Sequence, residues 1–320
     1  MTRILIFNDK TDAMAARLTE AAPETEIATC ESYTDLPERV VRFDPDIAYV
    51  VCFAGRSGFP REALLARDRL KWISNGGSGV DHLTPWNPDD VTVTNSAGVA
   101  ANMMAEYVFG SILHFTLDVP GLQADKARHH WMPGRLVQPI EGKTILIVGL
   151  GQTGQAVARR AKAFGLNVIG TRTRPQPVSH VDEVYSSEYL AELWPRADFV
   201  VLSVPLLSST RHLLDAQALA AMKETAILVD VSRGGVVDES AMINALRHRS
   251  IAGAALDVFA SEPLPADSPY WEIENLLISP HCSSVYAEWA MQSFELFLQN
   301  LTRWQAGMRL CNVVDPTRGY

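Results

Sequence analysis

Three side chains late in the chain, Arg233, Glu262 and His281, combine types that together can run acid–base chemistry on a carbonyl. A guanidinium presents a planar fork of donors that can bind a carboxylate and draw charge towards a nearby carbonyl oxygen. An imidazole has an ordinary pKa of about 6.5 and so can deliver or take a proton near neutral pH. A carboxylate beside it would favour the protonated ring and fix its tautomer, and Glu262 is the best-placed candidate. Each residue follows an apolar strand pattern: Arg233 comes after Ala226–Asp230, Glu262 after Ile251–Leu256 and His281 after Leu276–Ser279. Taken singly, Arg233 could be a surface ion-pair partner and His281 a satisfied helix-start histidine. Their recurrence at successive strand ends makes the catalytic reading the stronger, because open parallel sheets bind ligands beyond the carboxyl ends of their strands.

Those ends need a sheet to hold them, and its centre reads as Ile145-Leu146-Ile147-Val148-Gly149-Leu150-Gly151-Gln152-Thr153-Gly154. A β-branched run stops at a glycine, and glycines recur at the offsets of G-x-G-x-x-G before an alanine-rich helical pattern, Gln155–Phe164. Gly149 would make the tight turn, Gly151 would admit a pyrophosphate to the backbone, and Gly154 would let helix pack on strand. The anion would sit on the free N–H groups of Gln152 and Thr153 at the helix N-terminus. After the next strand, Gly165–Thr171, an NAD site would place a carboxylate for the ribose hydroxyls. The residues are instead Arg172, Thr173 and Arg174, two forks suited to a phosphate, so NADP is expected in preference to NAD. Six strands are counted in this region, and such a doubly wound parallel sheet together with a nicotinamide dinucleotide makes hydride transfer to a carbonyl the chemistry these groups fit.

The first ninety-odd residues repeat the α/β alternation. Strands are predicted at Arg3–Phe7, Glu26–Thr29, Ile47–Val51, Trp72–Ser74 and Val91–Thr94, with helices at Ala13–Ala21 and Arg61–Leu70. The loop Asn75-Gly76-Gly77-Ser78-Gly79-Val80 could turn its backbone N–H groups on an anion, as a carboxylate cradle. It is not a nucleophile elbow, since Val80 stands where the last glycine of G-x-S-x-G belongs. Likewise Val137 stands where a P-loop ending at Gly142-Lys143-Thr144 needs its first glycine. The helix expected over Ala100–Asp118 is apolar nearly all round, which fits an interdomain core or a subunit interface. Asp125–Gln138 lacks clear periodicity, and its adjacent His129 and His130 would point apart on a helix, so no metal site is expected.

At 320 residues, 47% hydrophobic and 20% charged, the chain reads as an ordinary globular protein of two domains. A net charge of −9 without a basic run argues against nucleic acid as a partner. No long charge-free apolar stretch or signal pattern is visible, so no membrane association and a cytoplasmic location are expected. Four scattered cysteines, Cys30, Cys52, Cys282 and Cys311, read as reduced thiols.

Over almost its full length the chain resembles the D-isomer-specific 2-hydroxyacid dehydrogenase family. Gly77–His82 is similar to the family's substrate-carboxylate loop and Gly149–Gly154 to its nucleotide fingerprint. Val229–Asp238 is similar to the segment carrying the catalytic arginine, Leu256–Phe259 with Glu262-Pro263 to that carrying the glutamate, and Ser279-Pro280-His281 to that carrying the histidine. The resemblance implies Arg233, Glu262 and His281 as the catalytic set, with the N–H groups of Ser78 and Gly79 on the substrate carboxylate. It implies Asp257 and the Ser232 carbonyl near the nicotinamide amide, with Pro205 and Thr210 lining the cofactor. It further implies a Rossmann nucleotide domain over residues 98–287 and a smaller flavodoxin-like α/β substrate domain from residues 1–97 and 288–320, in a homodimer. Arg172 departs from the family's usual acidic residue, Ala101 from a frequent threonine, and Cys282 and Ser283 occupy variable positions. The expected function is NADP-dependent reduction of a small 2-oxo acid to a D-2-hydroxy acid, in a glyoxylate or hydroxypyruvate reductase-like branch. Phosphoglycerate is a weaker candidate because the chain stops at Tyr320 without an appended regulatory domain, and formate is disfavoured by Glu262. The alternative is a dinucleotide-sensing, corepressor-like binding protein. The pocket walls, Phe53–Phe59 and Val285–Trp289, do not fix the acid.

Overall fold

Short apolar runs of Val, Ile and Leu become parallel strands covered on both faces in two separate sheets. The computed structural model describes residues 1–52 and 58–319. The chain divides into two units, Met1–Val99 with Tyr286–Tyr320, and Ala100–Val285. Residues 53–57 of the expected pocket wall Phe53–Phe59 lie outside the described residues.

The first unit runs β1 (Arg3–Phe7), α1 (Thr11–Ala21), β2 (Glu26–Cys30), α2 (Leu36–Phe43), β3 (Ile47–Val50), α3 (Arg61–Leu65), β4 (Trp72–Asn75) and β5 (Thr92–Thr94). The second runs α4 (Ala101–Thr116), α5 (Val119–Ala127), β6 (Thr144–Val148), α6 (Gln152–Ala163), β7 (Asn167–Thr171), β8 (Glu183–Tyr185), α7 (Leu190–Leu193), β9 (Phe199–Leu202), α8 (Ala216–Ala221), β10 (Ile227–Asp230), α9 (Glu239–Arg247), β11 (Gly253–Leu256) and β12 (Leu276–Ile278). The chain then returns to the first unit as α10 (Trp289–Gln305).

The first sheet has the order β2-β1-β3-β4-β5, all parallel, which is the flavodoxin-like order. Strand alternation sends Leu5, Phe7, Val50 and Ile73 to one core, while Ile4, Ile6, Tyr49 and Trp72 meet Phe294 and Phe297 of α10 on the other face. Burial of each such side chain contributes about 1.5–3 kcal/mol.

The second sheet has the order β12-β11-β10-β9-β6-β7-β8, also parallel throughout. It is a doubly wound Rossmann sheet, whose direction of growth reverses between β6 and β9, the place where such sheets leave a ligand crevice. Leu146, Val148, Leu228 and Leu256 face one core; Ile145, Ile147, Val229 and Ala255 face the other, under α4 and α6. Asp215 and Asp238 start α8 and α9 by accepting from Ala218 N and Ala241 N.

Three expectations are corrected. The nucleotide sheet has seven strands, not six, because β8 adds an edge strand of three half-buried residues. The helix expected over Arg61–Leu70 stops at Leu65, since Arg67 and Arg69 turn back to pair with Asp44 at 2.7 and 3.2 Å. The segment without periodicity begins inside α5, where Asp118 caps Gly121 N and the buried Asp125 collects Arg128 and Arg135. Among the described residues no helix is long and apolar enough to cross a membrane.

Candidate active site

The glycine turn after β6 is held where the sheet changes direction. Gly149 adopts φ +103°, open to glycine, and its added Cβ would lie 2.7 Å from Ser203 O on the neighbouring β9 connection. A Cβ on Gly154 would fall 2.0 Å from Gly149 O, so helix and turn touch backbone to backbone. Gly151 differs: a Cβ there meets nothing within 4 Å. It opens α6 without a side-chain cap, leaving the first-turn N–H groups of Gln152, Thr153 and Gly154 without intrahelical partners. Open space before an uncapped helix N-terminus fits a dinucleotide pyrophosphate. Gly149 N and Leu150 N both donate to Thr171 O, tying the turn to the end of β7. Arg172, half-buried, and the exposed Thr173 and Arg174 follow directly, and among the described residues no carboxylate pairs with either arginine. These residues therefore fit a dinucleotide carrying an additional phosphate.

The structure brings Arg233, Glu262 and His281 into one electrostatic neighbourhood at the ends of β10, β11 and β12. His281 Nδ1 lies 2.8 Å from Glu262 Oε2, and Glu262 Oε1 accepts from Phe259 N at 3.0 Å. Burial raises the Glu262 pKa, but the His281 hydrogen bond, the Phe259 N–H and the charges of His281 and Arg233 together hold it below the usual glutamate value. Glu262 is therefore a carboxylate at neutral pH, an acceptor for Nδ1–H, which leaves Nε2 as the ring nitrogen for a reacting group. Gly234 permits the closeness, since a Cβ there would fall 1.9 Å from Phe259 O. Arg233 Nη1 donates to Ser232 O at 2.7 Å, which fixes the fork but occupies one lone pair of the carbonyl expected to face a nicotinamide amide.

Asp257 supports the His281 loop. His281 sits at φ +52°, left-handed for a non-glycine residue, and its N–H reaches Asp257 O at 2.9 Å. The Asp257 carboxylate then accepts from Ser279 Oγ (2.5 Å), Cys282 N (2.9 Å) and Ser283 N (3.0 Å). Three of about four acceptor sites are spent on the His281 loop, so the buried Asp257 first of all braces the histidine. Because Ser279 gives its proton to Asp257, Tyr107 OH, 2.7 Å from Ser279 Oγ, must donate into the chain from α4. Pro205 and Thr210 are likewise brought together, with Thr210 Oγ1 donating to Pro205 O at 2.6 Å and accepting from Leu207 N. That hydroxyl closes its own turn.

Tyr107, Ser279 and Asp230 were not singled out from the sequence. Asp230, 2% exposed at the end of β10, accepts from Ser232 N at 2.9 Å and Ser232 Oγ at 2.5 Å. Burial pushes its pKa up to about 7, helped by the charge of Asp257 and opposed by the Ser232 donors and Arg233. An acid whose folded pKa is raised loses stability as pH climbs from its unfolded value, about 3.9, to the folded one. Asp230→Asn should therefore stabilise the fold increasingly between pH about 4 and about 7 and by a constant amount above. Thermal unfolding of both proteins across that range checks it; a gap independent of pH would refute the buried acid.

Ser78 and Gly79 lie in the other unit, in the loop after β4, and among the described residues neither N–H has an acceptor. Ala101 is buried in the first turn of α4, so the family's threonine hydroxyl has no counterpart there.

A family model described as "D-isomer specific 2-hydroxyacid dehydrogenase, NAD binding domain" matches residues 109–283. The chain belongs to the D-isomer-specific 2-hydroxyacid dehydrogenase family. This dehydrogenase is 36% identical over 265 residues to a glyoxylate reductase of Korarchaeum cryptofilum, covering 79% of each chain. It is 35% identical over 288 residues to a D-3-phosphoglycerate dehydrogenase of Methanocaldococcus jannaschii, covering 88% of this chain and 53% of that protein; the chain thus spans about half that relative's length. Among solved structures, a D-isomer-specific 2-hydroxyacid dehydrogenase from Xanthobacter autotrophicus Py2, in complex with NADPH and MES, superimposes with a TM-score of 0.84 at 29% identity, covering 100% of both chains. The dehydrogenase is thus an enzyme whose Rossmann unit is the family's nicotinamide-dinucleotide domain.

Proposed function

We propose that this dehydrogenase reduces a small 2-oxo acid of the glyoxylate or hydroxypyruvate type to its D-2-hydroxy acid, with NADPH as the preferred reductant. The observation that carries the reading is the 2.8 Å contact of His281 with a carboxylate held ionised at neutral pH, with the Arg233 charge acting on the same carboxylate. Gly149, Gly151, Gln152, Thr153 and Gly154 would hold the pyrophosphate and Arg172, Thr173 and Arg174 the extra phosphate, with Pro205, Thr210, Ser232 and Asp257 along the rest of the dinucleotide. When bound, the reduced nicotinamide supplies a hydride to the carbonyl carbon. Arg233 draws electron density towards the carbonyl oxygen, and His281 delivers a proton from Nε2 to that oxygen as the alcohol forms. Glu262 fixes the ring through Nδ1 and compensates its positive charge until Nε2 gives up the proton. The N–H groups of Ser78 and Gly79 hold the substrate carboxylate, which assigns residues 1–99 with 286–320 to the substrate. The names of the Korarchaeum relative and the NADPH complex of the Xanthobacter structure support the same substrate class and cofactor. A homodimer is proposed on apolar side chains that the nucleotide unit leaves exposed, among them Trp131 at 89% and Leu136 at 91%.

The cofactor part is tested by turnover of glyoxylate and hydroxypyruvate with NADPH and NADH. Arg172→Ala with Arg174→Ala should cut the NADPH preference by about tenfold or more, since a guanidinium–phosphate pair contributes roughly 1.5–3 kcal/mol. An unchanged preference would remove both arginines from the phosphate site. Firm NADPH binding with no 2-oxo acid turned over would favour a dinucleotide-sensing binding protein instead.

A further inference from the structure

The substrate loop holds its carbonyls in a way that its glycines do not explain. Asn75, the last residue of β4, is 1% exposed and donates from Nδ2 to both Gly77 O (2.9 Å) and Gly79 O (2.8 Å). Asn95, 5% exposed after β5, donates from Nδ2 to the carbonyl between them, Ser78 O, at 2.8 Å. Ala97 N donates to Asn95 Oδ1, which fixes the orientation of that amide. Gly77 O also accepts from Ser96 N, and Gly76 O accepts from Ser293 Oγ of α10 at 2.8 Å.

In a trans peptide the C=O of one residue and the N–H of the next point in opposite directions. Gripping the carbonyls of Gly77, Ser78 and Gly79 therefore aims the N–H groups of Ser78, Gly79 and Val80 away from the asparagines that hold them, as the grip of Ser293 on Gly76 O aims the Gly77 N–H away from Ser293. Among the described residues none of these four N–H groups has an acceptor. A second observation marks the same residue: Asn75 Oδ1 is buried and, among the described residues, has no hydrogen-bond partner. Turning the amide over would satisfy nothing, because it would set Oδ1 against two carbonyl oxygens. A buried unsatisfied acceptor calls for a reason, and here the reason is the double grip made by Nδ2.

We propose that Asn75 and Asn95 are positioning residues that aim a row of backbone N–H groups, Val80 as well as Ser78 and Gly79, at the carboxylate of the substrate. The inference rests on reading this loop as the carboxylate site, and it adds the side chains that shape it and a further donor. The selectivity it confers is for an anionic acid over a neutral carbonyl compound.

The test uses the full-length enzyme with NADPH and two readouts. In the first, oxamate is titrated into isotope-labelled wild type, Asn75→Ala and Asn95→Ala; the amide resonances of Ser78, Gly79 and Val80 should move in the wild type, with affinity weakened about tenfold or more in either variant. In the second, kcat/KM for glyoxylate should fall by about tenfold or more in the variants while that for the neutral carbonyl methylglyoxal changes by less than about twofold. Asn95→Ala keeps the test open if Asn75→Ala does not fold. Equal losses for both compounds would reduce the asparagines to a structural role and overturn the proposal. So would wild-type glyoxylate turnover without movement of the three amides, which would leave the reductase reading standing. Amide movement without turnover of any 2-oxo acid would uphold the anion site and overturn the reductase reading.

Discussion

Replacing His281 with glutamine should lower kcat for 2-oxo acid reduction by about 10²–10⁴-fold, the usual contribution of a positioned acid–base group. Glutamine can still donate a hydrogen bond, but it cannot hand over a proton near neutral pH. NADPH affinity should be unchanged, because the dinucleotide turn at Gly149–Gly154 and the His281 loop are built from separate contacts. A His281→Gln enzyme with wild-type kcat would place the proton donor elsewhere. Glu262→Gln separates the partner's role: the ring keeps an acceptor for Nδ1–H but loses the compensating charge, so kcat should fall while NADPH affinity stays unchanged.

Replacing Arg233 with glutamine should reduce kcat/KM by about 10³-fold, on the order of 4 kcal/mol of transition-state stabilisation, comparable to removing a donor from an oxyanion site. Arg233→Lys should recover only part of the loss, because an ammonium lacks the planar fork. The second consequence lies in its neighbours. The Arg233 charge is among the influences that hold Glu262 below its ordinary pKa, so its removal should move the protonation of Glu262 to higher pH. The same charge opposes the rise at Asp230. Steady-state kinetics across pH checks both effects, and an Arg233→Gln enzyme with wild-type kcat/KM would exclude the guanidinium from the reaction.

Much of this was readable in the chain because the signals are local. The glycine offsets after a buried β-branched run located the turn at the β6–β9 reversal, and the residue after β7 was visibly an arginine in place of a carboxylate. The pairing of Glu262 with His281 was also anticipated, since both follow strands of one parallel sheet. What the sequence hid depends on contacts made at long range. Tyr107 counted only as another large residue on an apolar helix until α4 brought it to Ser279. Asp257, expected to face the dinucleotide, is bound by backbone N–H groups twenty-odd positions later, and no local pattern shows that. Asn75 passed as the polar start of a glycine loop, because its value lies in which carbonyls it reaches. The strand β8 escaped because three half-buried edge residues leave no hydrophobic run to detect.

The most direct measurement is the fate of a labelled hydride. NADPH deuterated at the transferable position, incubated with the enzyme and glyoxylate or hydroxypyruvate, should yield a 2-hydroxy acid carrying the deuterium at C2, with the D configuration where that carbon is chiral. Absence of the label from C2, or an L product from hydroxypyruvate, would contradict the account.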